Sequence, residues 1–161
     1  MPIVINGSGS LTGLSAEALS PSVLGNHGII QVVTASSTSA VTCSDTTAVD
    51  ITGLSASITC SNASNKVLAL MSVGGIYSAG DANSAVELQL VRDSSIVAKA
   101  INIGMGSTWA LNLMGFLQDF TAAGDTNSHT YKGMFKNRQS GDVKVGQVEA
   151  KHFITLIEVV A

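Results

Sequence analysis

Hydrophobic and polar residues alternate with a period of two along most of this chain, which is the pattern of half-buried β-strands. The clearest case is the segment VELQL at residues 86–90, whose three apolar side chains share one face. The polar segment RDSS at 92–95 is typical of a turn, and IVAKA at 96–100 has the pattern of a returning strand. We therefore predict a β-hairpin over this part of the chain.

Two further segments are apolar on both strand faces, which favours a position in the middle of a sheet. They are KVLALMSV at residues 66–73 and WALNLMGFL at 109–117. Helical spacing of apolar residues is absent except in SAEAL at 15–19, where Pro21 would end a helix within about a turn and a half. About eight short strands, separated by clusters of Gly, Ser, Asn and Asp, predict an all-β fold, an antiparallel β-sandwich or jelly roll.

Residues 1–24 differ from the strand-rich segment at 25–161. They contain a short apolar strand, a Gly/Ser linker and a leucine-spaced stretch, so we predict an extended N-terminal arm that serves as a neck or attachment segment. Three glycines follow the short strand, but the early proline and the lack of a Lys-Ser or Lys-Thr pair argue against a nucleotide site. The residues expected to carry attachment are the apolar Ile3, Val4, Ile5, Leu11 and Leu14.

Charge is scarce in this chain. Charged residues make up 12% and hydrophobic residues 45%, whereas about a quarter of a typical domain is charged. A surface with so few charges is either covered by hydroxyl groups or hidden in an assembly. The net charge of -3 and the scattered Lys and Arg argue against nucleic-acid binding. No apolar stretch reaches the ~20 residues that span a bilayer and no secretion signal is evident, so we expect no membrane insertion and folding in the cytoplasm.

The cysteines and histidines do not form a recognisable metal motif. Cys43 and Cys60 lack the spacing of a zinc site, and we interpret them as buried thiols, with a disulfide across neighbouring strands as the less favoured alternative. His27, His129 and His152 are far apart, and we interpret them as surface or strand-edge residues. Convergence of histidines in space on an ion is the less favoured alternative, so we predict no metal and no cofactor.

Two carboxylates lie inside apolar segments without a surrounding active-site motif. Glu87 and Glu158 as a pair would suggest acid–base chemistry. More often such a residue is the outward member of an alternating strand, or pairs with a lysine across it. Serines are abundant but lack the GxSxG turn of a hydrolase. The sequence therefore predicts a protein that is not an enzyme.

Strand motifs follow one another in a characteristic order: IIQVVT (29–34), DITGLSASITCSNASNKVLALMSV (50–73), VELQLVRDSSIVAKA (86–100), SHTYKGMFKN (128–137) and FITLIEVVA (153–161). This order resembles the β-rich terminal domain of tail-fibre-like structural proteins of bacteriophages, particularly marine and cyanobacterial ones. In that family a TGLS strand leads into SITP and a Ser-rich turn before a SKIL-type core strand. Here Cys60 stands where the proline usually is, and NKVL at 65–68 replaces the Ser-Lys start. The resemblance covers roughly residues 25–161.

The resemblance implies a homotrimer with a jelly-roll-like head, carried on the virion and assembled in the host cytoplasm. Its partners would be its own copies, other virion proteins of the tail or capsid, and a glycan or protein of the host surface. The family favours a short tail-fibre or spike head, whereas the length of 161 residues favours a capsid decoration (cement) protein because it leaves no room for a shaft. For the fibre role, the candidate receptor-contact residues at loop tips are Tyr77, Asp81, Asn83, Asp125 and Asn127.

A sugar-binding module or glycan hydrolase on a β scaffold is a third hypothesis. Such a site needs exposed aromatic side chains for stacking and, for cleavage, clustered carboxylates. Trp109 and Tyr77 are the candidate stacking platforms, and the pattern around Trp109 favours a place in the core. Release of sugar from host polysaccharide would distinguish this hypothesis from a structural head.

Overall fold

The computed structural model of this chain describes residues 4–5, 11–12, 28–79, 85–102, 113–139, 141–146 and 149–161. Over these ranges the chain forms twelve β-strands and no α-helix, which confirms the prediction of an all-β protein. The strands are β1 (Val4–Ile5), β2 (Leu11–Thr12), β3 (Ile29–Ser37), β4 (Val41–Cys43), β5 (Val49–Thr59), β6 (Lys66–Ala79), β7 (Val86–Arg92), β8 (Ser95–Asn102), β9 (Leu113–Ala122), β10 (Ser128–Asn137), β11 (Asp142–Val145) and β12 (His152–Val159).

Ten of these strands form an antiparallel β-sandwich. Sheet 1 has the order β3-β12-β6-β9, and β11 and β4 extend it from the C-terminal part of β6. Sheet 2 has the order β5-β10-β7-β8. The remaining strands, β1 and β2, pair with each other in a two-stranded sheet. Apart from the β7–β8 hairpin, neighbours in sheets 1 and 2 are not consecutive in the chain, so their pairing is set by tertiary contacts rather than by local turns.

The strand in the middle of sheet 1 is β6, as its two apolar faces predicted. It pairs with β12 from Lys66 to Ser72 and with β9 from Lys66 to Ile76. The predicted hairpin is also confirmed: β7 and β8 are joined by a turn at Asp93 and Ser94. The other segment that is apolar on both faces is described from Leu113 onward, where it forms β9 and continues beyond the predicted end to Ala122.

The core lies between the two sheets and is filled from alternate positions of each strand. In β5 and β12 every second side chain is buried along most of the strand. Burial of one such large apolar side chain contributes about 1.5–3 kcal/mol. A one-residue slip in pairing would turn these side chains outward, so the core also fixes the register. The largest fully buried apolar side chains are Tyr131, Phe135, Leu54, Ile58, Met71, Leu90, Ile154 and Leu156.

One carboxylate is buried inside this core. Glu158 points inward from β12, and its Oε1 accepts hydrogen bonds from the Ser61 backbone N–H (2.8 Å), the Ser61 hydroxyl (2.9 Å) and Asn65 Nδ2 (2.6 Å). Its Oε2 accepts a hydrogen bond from Gln31 Nε2 at 2.6 Å. Burial raises the pKa of the carboxyl, but the hydrogen bonds from Asn65, Gln31 and Ser61 outweigh burial and leave the pKa lowered. The expectation of an outward Glu158 is therefore wrong; the residue ties the turn after β5 to β3 and β12.

Both described histidines take part in internal contacts, and one of them is fully buried. His152 points inward from β12, where its Nδ1 accepts a hydrogen bond from the Gly74 backbone N–H (3.2 Å) and its Nε2 lies 3.3 Å from the Ser39 carbonyl oxygen. Burial lowers the pKa of the imidazole. The expectation of a surface or edge position is wrong for His152, because the polar backbone atoms beside it let the neutral ring be buried.

We expect acid to destabilise the fold through His152. Its folded-state pKa lies below the ordinary value of 6.5, so its contribution is complete above that value and is lost as the pH falls below it. The slope for one group is at most about 1.4 kcal/mol per pH unit. Urea unfolding at pH about 7.5 and about 5.5 checks this, with His152→Asn as the non-titrating comparison. Equal losses of stability in both proteins would contradict the assignment.

The two cysteines are buried and free, as the interpretation of them as buried thiols predicted. Cys43 donates a hydrogen bond to the Asp45 carbonyl oxygen at 3.2 Å. Burial, together with the nearby Glu158 carboxylate, raises the pKa of the Cys60 thiol. Because both thiols are buried, they serve as small packed side chains.

Candidate interaction surface

The outward face of sheet 1 is mostly apolar. The chain has only four phenylalanines. Three of them lie on this face with large exposed fractions: Phe116 (59%), Phe120 (52%) and Phe153 (44%). We call the outward side chains of β3, β12, β6 and β9 the phenylalanine face. Monomeric soluble proteins seldom expose a contiguous apolar patch of this kind, so the face is a candidate interaction surface.

The strand register arranges the phenylalanine face in rows that cross sheet 1. The rows are Val32, Ile157, Leu68 and Phe120; then Thr34, Thr155, Leu70 and Gln118; then Ser36, Phe153, Ser72 and Phe116. The first row is entirely apolar. In the third row, Ser72 separates the two aromatic rings. The three rows contain no charged residue.

Two lysines stand over aromatic rings of the phenylalanine face. Lys66 Nζ lies 5.3 Å from the ring centroid of Phe120, and Lys151 Nζ lies 5.3 Å from that of Phe153. Exposed cation–π contacts of this kind contribute about 0.5–1 kcal/mol each. The lysines cover only part of each ring, since both phenylalanines keep about half of their surface exposed.

A second apolar surface lies along β8, which is the edge strand of sheet 2. Its outward side chains include Ile96 (53% exposed) and Ile101 (40% exposed), with the exposed Lys99 between them. We call this surface the β8 edge. Between β8 and β9 lies a groove of about 240 Å³, whose lining includes Leu88, Ile101 and Phe116. The groove joins the β8 edge to the phenylalanine face, because Ile101 belongs to one and Phe116 to the other.

The described loop-tip candidates differ from one another in their environments. Tyr77 lies inside β6, half-buried and opposite Lys144 of β11, so the expectation of a loop position is wrong for this residue. Asp125 accepts a hydrogen bond from the Asn127 backbone N–H at 2.7 Å, which closes a tight turn before β10. Asn127 itself is exposed. Asp81 and Asn83 lie outside the described residues, and receptor contact by any of the candidates stays a prediction.

Asp125 also takes part in a clip around His129. The His129 ring places Nε2 3.0 Å from Asp125 Oδ1 and Nδ1 2.8 Å from Asp93 Oδ2. Hydrogen bonds from His129 and from the Thr130 backbone N–H lower the pKa of Asp93, and the hydrogen bond from the Asn127 backbone N–H does the same for Asp125. The clip joins the β7–β8 turn to the loop before β10, which favours a structural role for Asp125.

The attachment residues expected near the N-terminus are described only in part. Val4 and Ile5 form β1, which pairs with β2 at Leu11 and Thr12. The expected short strand is thereby confirmed for these two residues. Ile3 and Leu14 lie outside the described residues, as do His27 and Trp109. Attachment by this segment stays a prediction.

The two carboxylates that suggested acid–base chemistry are not brought together. Glu158 is buried between the sheets, whereas Glu87 is buried on the opposite face of β7 from the core, near Arg138 Nε (3.6 Å) and Lys136 Nζ (3.9 Å). Glu87 also accepts a hydrogen bond from Gln89 Nε2 at 2.7 Å. Each carboxylate is thus held by its own partners. In the described ranges no group of three or more His, Cys, Asp and Glu side chains is arranged to hold a metal ion.

The phenylalanine face was not found by sequence reasoning, although one signal for it exists. Phe116 and Phe120 are four positions apart, so in a strand they share one face, opposite to that of Leu117. Alternation alone does not say which face of such a strand is buried. Here the structure buries Leu117 and turns the phenylalanines outward.

A scan against protein-family models and a search of curated proteins both returned no match for this chain. Among the described residues, no helix is long and apolar enough to cross a membrane.

Proposed function

We propose that this chain is a non-enzymatic structural protein of a bacteriophage virion, exposed on the particle surface as the head of a short trimeric tail fibre or spike that attaches to the host. The observation that carries the proposal is the phenylalanine face, because a surface with three half-exposed phenylalanines suits a protein that works in an assembly. The order of the strand motifs, which resembles that of phage tail-fibre-like proteins, supports the choice of assembly. The low charge supports it as well.

The proposed head fold is a jelly roll. The sandwich has eight principal strands, namely β3, β5, β6, β7, β8, β9, β10 and β12. Taken in chain order, the first pairs with the last, the second with the seventh, the third with the sixth and the fourth with the fifth. Such nested antiparallel pairing is what one long hairpin gives when it is rolled into two sheets, and it supports a jelly roll over other sandwich topologies.

The proposed assembly is a homotrimer. Multi-angle light scattering of the purified chain at micromolar concentration is expected to give the mass of three chains. Burial of the phenylalanine face between copies is the physical reason, since its apolar area would otherwise stay in water. A clean monomer mass at that concentration would rule the trimer out.

A capsid decoration protein is the second candidate function. The specific observation in its favour is that the phenylalanine face and the β8 edge lie on different sides of the sandwich, as a protein that clamps neighbouring shell subunits requires. Immunogold electron microscopy of intact virions separates the two roles. Gold on the tail or its fibres supports the fibre head, and gold spread over the capsid supports decoration.

A further inference from the structure

We infer that the subunit contact of the trimer is formed by the phenylalanine face of one copy against the β8 edge of the next copy. The groove between β8 and β9 then lies beside the threefold axis. This inference rests on the proposed homotrimer and specifies which surfaces build it. The occupant of the phenylalanine face is accordingly a second copy of this chain.

Symmetry is the first argument. In a ring of three identical chains each contact is heterologous, so every copy must present two different surfaces that fit each other. The described part of the chain has two exposed apolar surfaces of this kind. One is the phenylalanine face, and the other is the β8 edge with Ile96 and Ile101. A contact between the phenylalanine faces of two copies would give a closed dimer, and the β8 edge would stay exposed to water.

The position of the two surfaces is the second argument. Each copy in a ring of three occupies a sector of about 120°, and its two contact surfaces meet at the axis. The phenylalanine face covers one side of the sandwich, and the β8 edge borders it around the corner formed by β9 and β8. The groove at this corner has Phe116 on one bank and Ile101 on the other. The corner is thus apolar on both sides of the groove, which suits a position beside the axis in this arrangement.

The size of the phenylalanine face is the third argument. A stable specific interface takes about 800 Å² and 20–30 residues from each partner. The face spans four strands and three rows, with Lys66, Lys151 and the exposed Ile29 and Ile30 at its rim. With twelve outward side chains in its rows and four residues at its rim, it approaches the residue number of a standard protein interface. Small-molecule sites, by contrast, are concave, and a few polar groups in them point towards the ligand.

Charge is the fourth argument. The rim of the phenylalanine face carries Lys66, while the turn that leads into the β8 edge carries the exposed Asp93. Both lie at the same end of the sandwich: Lys66 pairs with Ala122, and the Ala122 carbonyl oxygen accepts a hydrogen bond from Arg92 Nη1 at 3.1 Å. When the threefold axis is parallel to the strands, residues at the same level along that axis on adjacent copies face each other. The opposite charges of Lys66 and Asp93 then lie across the contact at this end, while the exposed Lys99, between Ile96 and Ile101 in the β8 edge, places a positive charge farther along the strand.

The experiment compares the mass of three full-length variants with that of the wild-type chain by light scattering. Phe120→Glu places a carboxylate in the face, where Lys66 can pair with it in the free subunit. Ile96→Glu places one in the β8 edge. Thr59→Glu, on the exposed outer side of sheet 2, is the matched control. We expect trimers from the wild-type chain and the control, and monomers from each of the other two variants.

An equimolar mixture of Phe120→Glu and Ile96→Glu gives the sharpest result. Each variant keeps one intact surface, so the mixture should form pairs with the mass of two chains. A trimeric Ile96→Glu would overturn the role of the β8 edge, and a trimeric Phe120→Glu that of the phenylalanine face. A monomeric wild-type chain would instead refute the homotrimer itself. Circular dichroism checks folding, and Val32→Glu repeats the test in the face if Phe120→Glu fails to fold.

Discussion

Replacement of Glu158 by glutamine is expected to lower the free energy of unfolding by about 3 kcal/mol, with a fall in Tm of about 6–12 °C. The carboxylate accepts four hydrogen bonds in a fully buried position. Glutamine has nearly the same shape but replaces one acceptor oxygen by a donor. If its amide nitrogen faces Gln31, that side chain must turn and release the Thr59 carbonyl oxygen, to which it donates at 2.7 Å. If it faces Ser61, the backbone N–H there loses its acceptor.

The effect of Glu158→Gln should depend on pH. The folded-state pKa of Glu158 is lowered below its ordinary value of 4.5. The stability from its ionised form is therefore complete above that value and is lost as the pH falls through the folded-state pKa. Because glutamine does not titrate, the difference between wild type and variant should shrink from pH about 7 to pH about 3.

Chemical denaturation at both pH values measures these two effects. The matched control is Glu149→Gln, which makes the same chemical change at an exposed position and should cost less than about 0.5 kcal/mol. A loss for Glu158→Gln as small as that of the control would show that the buried network does not stabilise the fold.

Replacement of Gly146 by alanine is the second change with a large expected effect, a loss of about 3–5 kcal/mol. Gly146 has φ +76°, a left-handed conformation that costs an L side chain roughly 1–2 kcal/mol. A Cβ there would also overlap the Ser39 carbonyl oxygen and lie 2.9 Å from Nε2 of His152. The Ser39 backbone would have to move, and with it the hydrogen-bond partner of the buried imidazole.

The chain offers a matched control for Gly146→Ala. Gly124 has a similar left-handed φ of +86°, but a Cβ at this position meets no atom within 4 Å. Gly124→Ala should therefore cost only the backbone strain, about 1 kcal/mol. The difference between the two variants in urea unfolding measures the overlap with Ser39. Equal losses would mean that the loop at Gly146 moves aside without cost.

Local patterns predicted the elements that depend on local geometry. The hairpin of β7 and β8 follows from alternation on each side of the RDSS turn, and the central place of β6 follows from its two apolar faces. Both predictions succeed because side chains of a strand alternate between its faces wherever the strand lies. The predicted loop position of Tyr77 fails for the complementary reason: β6 continues through it because β11 pairs with its C-terminal part.

Glu158 shows why the buried polar network could not be predicted from the sequence. Its acceptor oxygens are filled by Ser61, Asn65 and Gln31, which lie 97, 93 and 127 residues away in the chain. No local sequence pattern predicts these donors, and an isolated glutamate in an apolar strand faces outward in most proteins. Only the pairing of β12 between β3 and β6 brings the donors together. Their hydrogen bonds then offset the desolvation free energy of the buried charge.

The sequence by itself determined the all-β class, the strand alternation, the hairpin and the two-sided apolar character of β6, since these are properties of short segments of backbone. Tertiary structure alone decided which face of each strand is buried. Phe116, Phe120 and Phe153 could have filled the core, but Leu117 and Ile154 fill it instead, because one face of sheet 1 packs on sheet 2 and the other does not. Burial depends on which surfaces meet, and those surfaces come from residues that are distant in the chain.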